Sequence, residues 1–146
     1  MLTVEDILMV KGPDVMVATS TTTVLEVTCQ MARAGVGSVV IQDGVGADGI
    51  FTERDLVNRV VAAGKDPAVT ALSEVMTSPV ATCSLSTTVR DALNRMLEEH
   101  MRHLVIEEDG GLVGLIGVRD VLAALLQEDE ARIEELEDQN MQSCEA

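Results

Sequence analysis

The sequence predicts a mixed α/β (α+β) fold: a tandem pair of β-α-β-β-α units related by a pseudo-twofold and packed sheet to sheet. Three observations predict it. The chain aligns with itself, without a gap, at an offset of 65 residues. The same helix-opening pattern stands at matching places in both copies. In each copy that helix is followed by two short runs of branched apolar residues joined by a turn signal, which is the pattern of a β-hairpin. A unit of about 60 residues buries too little surface to be comfortable alone, so two are expected to share an apolar contact.

The repeat runs from Thr22 to Asp55 and from Thr87 to Asp120, with ten of 34 positions identical. Thr22-Thr23-Val24 falls on Thr87-Thr88-Val89, Met31 on Met96, and Val40-Ile41 on Val105-Ile106. Gly46 and Gly49 fall on Gly111 and Gly114, and Arg54-Asp55 on Arg119-Asp120. Self-similarity at a fixed period marks a duplicated structural unit.

The elements follow in order. Val4-Glu5-Asp6-Ile7-Leu8 predicts a short lead-in helix, echoed by Leu72-Ser73-Glu74-Val75-Met76 before the second copy. Val15–Ala18 and Val80–Cys83 are strand candidates. Thr23-x-x-Glu26 and Thr88-x-x-Asp91 are capping-box patterns that open helices with apolar residues at helical spacing. Gly35 stops the first helix, and the second ends near His100. Ser38–Ile41 and Gly49–Phe51 form one expected hairpin, His103–Ile106 and Leu112–Ile116 the other. A last helix in the first copy opens at Thr52-Glu53-Arg54-Asp55, runs to about Ala63 and stops at Gly64; its counterpart starts near Val118 and enters the tail. The expected organisation is a first unit with its lead-in helix over residues 1–64, a linker over 65–70, a second unit over 71–126, and an acidic tail over 127–146.

Composition narrows the function. Phe51 is the sole aromatic residue, so the core must be aliphatic, and stacking platforms for single-stranded nucleic acid are not available. The net charge is −15, of which the tail supplies −7 (eight acids against Arg132). Such a surface repels phosphate backbones and anionic lipid, which argues against nucleic acid and membranes as partners. The longest apolar run, Val121 to Leu126, is far too short to span a bilayer, and the N-terminus lacks the charged and apolar regions of a secretory signal. Three cysteines, Cys29, Cys83 and Cys144, show no CxxC spacing, and with that pattern a cytoplasmic location is expected. Cys29 falls in an amphipathic helix and is expected to be a small core hydrophobe; the eight methionines are expected as core filler. Leu122, Leu125, Leu126, Ile133 and Leu136 form a rough stripe along the tail, which fits either a helix packing between subunits or a solvated end.

The segment Gly49-Ile50-Phe51-Thr52-Glu53-Arg54-Asp55-Leu56 resembles the signature of the CBS domain, named after cystathionine β-synthase: a glycine-led strand, Ser/Thr, two residues, then Asp at a helix start. Ser73-Glu74-Val75-Met76-Thr77 and Ser86-Thr87-Thr88-Val89 are also similar to the family, and the resemblance covers about residues 1–126. It implies a non-catalytic regulatory module in which paired units bind AMP, ADP, ATP or S-adenosylmethionine between them, with no required cofactor. It also implies a homodimer and an effector protein that receives the signal. Carried across, the first cleft would use Thr52 and Asp55 for ribose, with Ala81, Arg102 and His103 opposite. The second would use Asp120, with Gly37 and Ser38 facing the base and Arg102 and His103 meeting phosphate. The physics agrees: a carboxylate accepts two hydroxyls in charge-assisted bonds worth about 1.5–3 kcal/mol each.

The bland readings stand beside these. Thr52-x-x-Asp55 is also an ordinary cap. Arg54 and Arg119 are phosphate contacts or solvated first-turn residues, and Arg102 and His103 are ligand contacts or edge residues. The second motif carries Gly117 where the hydroxyl belongs, which weakens that cleft and favours the rival reading of a ligand-free structural or dimerisation module. His100 and His103 form HxxH without a third ligand nearby, so no metal is expected. No local arrangement supports nucleophilic or acid–base catalysis.

Overall fold

The computed structural model describes residues 1–145, with side chains through 139; Cys144 and the Glu145 side chain fall outside them. The chain runs α1 (Val4–Lys11), β1 (Val17–Ala18), α2 (Val24–Ala34), β2 (Ser38–Ile41), β3 (Gly49–Thr52) and α3 (Glu53–Asp55), which continues as a π-helical stretch, Leu56–Val61. Then follow α4 (Leu72–Val75), β4 (Thr82–Cys83), α5 (Val89–Glu98), β5 (His103–Glu108), β6 (Gly111–Gly117) and α6 (Val118–Glu145).

Each copy builds a three-stranded sheet, β1-β2-β3 and β4-β5-β6, with a parallel pair followed by the antiparallel hairpin. Strand alternation sorts the apolar residues onto two faces. Val39, Ile41 and Phe51 pack beneath α2, with Val24, Val27 and Met31. Leu104, Ile106 and Ile116 do the same beneath α5, with Val89, Ala92 and Met96. The intervening positions face the other way: Val40, Ile50, Val105 and Leu115 form a separate cluster joining the two sheets. These four are two pairs of repeat equivalents, and their meeting is the sheet-to-sheet contact expected from the duplication.

The caps form as anticipated in one direction. Thr23 Oγ1 accepts from Glu26 N–H at 3.2 Å and Thr88 Oγ1 from Asp91 N–H at 3.1 Å. Gly35 takes the left-handed conformation (φ 68°) and donates its N–H to Met31 C=O. Its repeat equivalent is His100, held at φ 55° without a glycine's freedom.

The lead-in helices exchange places. Val4, Ile7 and Leu8 of α1 are buried in the second unit's core, whereas Leu72 and Val75 of α4 are buried in the first unit's. Reciprocal backbone bonds fix the exchange: Val4 N–H to Thr87 C=O at 2.8 Å, and Leu72 N–H to Thr22 C=O at 2.9 Å. The expected grouping of α1 with residues 1–64 follows chain order, whereas the packing crosses it.

Three further expectations are revised. β1 and β4 are two residues each, because Val15 and Val80 leave the ladder to join the inter-sheet cluster. The helix after Thr52 widens into i→i−5 bonds, Ala62 N–H to Val57 C=O and Lys65 N–H to Val60 C=O, both 2.9 Å. Cys29 is exposed on α2, since the buried stripe there is Val24, Val27 and Met31. Cys83 is half-buried, and burial pushes its thiol up to about 11.

Candidate functional site

A cleft of about 310 Å³ opens between the units. One wall comes from the end of β3 and the start of α3: Thr52, Glu53, Arg54 and Asp55, with Gly37 behind them. The other comes from the segments leading into β4 and β5: Val80 and Ala81, then His100, Met101, Arg102 and His103. Ile50, Thr77 and Pro79 complete the floor.

Asp55 is the buried anion of this cleft, 9% exposed. One carboxylate oxygen, Oδ2, accepts from Thr52 N–H at 3.0 Å and Thr52 Oγ1 at 3.2 Å, while Thr52 Oγ1 accepts from Asp55 N–H at 3.3 Å. The cap is therefore real. The other oxygen, Oδ1, accepts from the Thr77 hydroxyl at 3.2 Å and lies 3.6 Å from Arg59 Nε. Arg59 in turn donates to the Met76 carbonyl at 3.0 Å, tying α3 to the end of α4. Gly37 is set close by its own backbone: its carbonyl accepts from Glu53 N–H at 3.0 Å, and a Cβ there would meet the Glu53 carboxyl carbon at 3.0 Å.

Both histidines and two of the chain's ten Lys/Arg line this one cleft, in a protein of net charge −15. Among the described residues Arg54 and Arg102 make no ion pair. Burial, reinforced by Lys11 and Arg102, holds His103 below its ordinary value of 6.5, with Asp120 and Asp55 pulling the other way. The fold thus keeps His103 neutral, so its contribution to stability is intact above pH 6.5 and declines as pH falls through 6.5 toward the lowered folded value. His103→Gln should flatten that part of the stability–pH curve, read by urea unfolding at a series of pH values. An unchanged curve would show that His103 is not the titrating group.

His100 projects from a strained backbone at the cleft mouth. A left-handed residue with a Cβ costs about 1–2 kcal/mol, part of which a glycine's extra chain entropy gives back. His100→Gly should therefore raise unfolding stability by about 1 kcal/mol in the ligand-free protein, measured by chemical denaturation. A loss of stability would mean the imidazole holds the loop itself.

Of the sequence-predicted residues, Thr52, Arg54, Asp55, Gly37, Ala81, Arg102 and His103 meet in this cleft. Asp120, expected with Gly37 and Ser38, instead lines a different cavity of about 390 Å³ between α1 and α6. There its Oδ2 accepts from Gly117 N–H at 2.8 Å and from Lys11 Nζ at 2.9 Å. Ser38 and Arg119 line neither cavity. The contacts of Thr77, Arg59 and Lys11 were not legible in the sequence, because they depend on where the lead-in helices dock: Thr77 and the Arg59 partner Met76 follow α4, and Lys11 ends α1. No group of three or more His, Cys, Asp or Glu among the described residues could hold a metal ion. No helix among them is long and apolar enough to cross a membrane.

A duplicated β-α-β-β-α unit, its two sheets face to face and an aspartate-capped helix at the crevice between them, defines a paired regulatory module. Comparison with known proteins gives the family. The CBS domain family matches residues 2–62 and 72–127, and the chain belongs to it as a tandem CBS-domain protein. A CBS-domain protein from Burkholderia ambifaria superposes with a TM-score of 0.80 at 30% identity, covering 86% of this chain and 94% of that one. One from Agrobacterium tumefaciens gives 0.77 at 33%, covering 84% and 98%. In sequence, an uncharacterized protein of Methanopyrus kandleri is 35% identical over 75% of this chain. The Schizosaccharomyces pombe meiotically up-regulated gene 70 protein is 40% identical over 81%. The chain spans only 57% and 16% of the length of these two relatives.

Proposed function

We infer that the chain is a non-catalytic sensor whose cleft takes an adenine nucleotide, AMP, ADP or ATP, or the related S-adenosylmethionine. The carrying observation is the convergence of Thr52–Asp55 with Arg54, Arg102 and His103 on one crevice between the units. Ribose hydroxyls would bond to Asp55, displacing the Thr77 hydroxyl like for like. The base would lie against Ile50, Val80 and Ala81, and phosphate would face Arg102 and His103. A phosphate beside His103 would favour its protonated form, opposing the lowering that burial imposes. Because a ligand shifts an equilibrium only by its affinity difference between states, the output would come from a changed angle between the units. Leu25 on α2 and Leu97 on α5, 46% and 62% exposed, offer apolar surface for a homodimer, and the listening effector would be another protein.

The rival is a structural CBS pair without ligand. The Gly117 departure favours it, as does the ion pair already formed on Asp120. Calorimetric titration and thermal shift with AMP, ATP and S-adenosylmethionine separate the two. A true ligand at one hundred times its Kd should add about 2.7 kcal/mol of stability. No heat and no shift from any of the three would leave the structural reading standing.

A further inference from the structure

The two first-turn aspartates are repeat equivalents, yet the segments that follow the exchanged helices meet them differently. Thr77, just beyond α4, donates a hydroxyl to Asp55 Oδ1 at 3.2 Å. Lys11, the last residue of α1, places its ammonium on Asp120 Oδ2 at 2.9 Å and on the Leu115 carbonyl at 2.8 Å. The first partner has the chemistry of a ribose hydroxyl and can be exchanged for one. The second is a cation with two acceptors, and the position that should carry the motif's hydroxyl is Gly117, whose N–H already serves Asp120 at 2.8 Å.

We propose that Lys11 is a built-in occupant of the second acidic site, closing it to ribose and limiting the chain to one nucleotide, in the first cleft. The stoichiometric part rests on the nucleotide reading above; the occupancy of Asp120 does not. The side chains are 35% and 29% exposed, so the pair is open to solvent on one side and held on the other by the β6 backbone. Exchange makes this possible. Had α1 packed on its own unit, no lysine would reach Asp120.

Two measurements test it. In isothermal titration with ATP, the wild type should bind one equivalent per chain, and Lys11→Met should gain a second, weaker one. A second equivalent in the wild type, or none gained in Lys11→Met, overturns the proposal. Independently of any nucleotide, amine acylation read by mass spectrometry compares the chain's two lysines, Lys11 and the exposed Lys65. Lys11 should react several-fold more slowly than Lys65 in the wild type and at a similar rate in Asp120→Asn. Equal rates in the wild type would show that Lys11 does not occupy Asp120. Slow Lys11 labelling with no binding of AMP, ATP or S-adenosylmethionine would instead sink the nucleotide reading and keep the occupied acid.

Discussion

Removal of residues 1–11 should unfold the second unit and leave the first recognisably protected. Val4, Ile7 and Leu8 are 0, 6 and 8% exposed, all inside the cluster around Met96, Leu104 and Ile116. Burying three such side chains is worth about 5–8 kcal/mol, against a whole-domain stability of about 5–15 kcal/mol. The truncation also strips the backbone partners of Thr87 and Leu85. Hydrogen exchange read by mass spectrometry should show β4, β5 and β6 losing protection while β2 and β3 largely keep theirs. Loss confined to the first unit would contradict the exchanged packing.

Asp55→Asn should weaken nucleotide binding at least roughly tenfold, since even one charge-assisted bond lost is worth about 1.5–3 kcal/mol. Alanine is the poorer variant here: Asp55 caps α3 and accepts from Thr77, so alanine would strip the cap and leave both oxygens' partners unpaired. Asparagine keeps one acceptor oxygen for Thr52 N–H and turns its NH2 toward Thr77, whose hydroxyl can accept in place of donating; the loss of a buried charge beside Arg59 should cost about 1–3 kcal/mol of stability. Calorimetry for affinity and urea unfolding for stability give the two numbers from one preparation. Equal affinity in wild type and variant would remove Asp55 from the site.

Much of this was legible in the sequence because duplication reports structure twice. The paired caps at Thr23 and Thr88, the alternation in Val39-Val40-Ile41 and Leu104-Val105-Ile106, and the sheet-to-sheet contact all follow from local pattern and repeat. Seven of the ten candidate site residues converge where the two copies face each other, most of them beside turns or helix starts that the pattern already located. What stayed hidden depends on long-range placement. Nothing local tells α1 to dock on the second unit, so Lys11 could not be paired with Asp120 in advance. Cys29 is exposed, against expectation, because a three-turn helix has room for only one inward stripe, and Val24, Val27 and Met31 fill it. Leu56 and Val60 lie against the first core while Val57 and Val61 face outward, as helical i, i+4 spacing anticipates; the widening into i→i−5 bonds there has no such signal in the apolar pattern.

The crossing of α1 and α4 has a consequence for the order of assembly. The first unit is complete in one uninterrupted stretch from β1 to α4, so it sits as an insertion inside the second, whose pieces flank it. As the chain is synthesised, the inner unit can close once α4 emerges. The outer one must hold its earliest helix in reserve until β6 arrives, because Thr3 has to find Thr88. Contacts so distant along the chain form slowly. The nascent protein should therefore pass through a state with one finished half and an unsheltered apolar helix, the moment at which it most needs protection from aggregation.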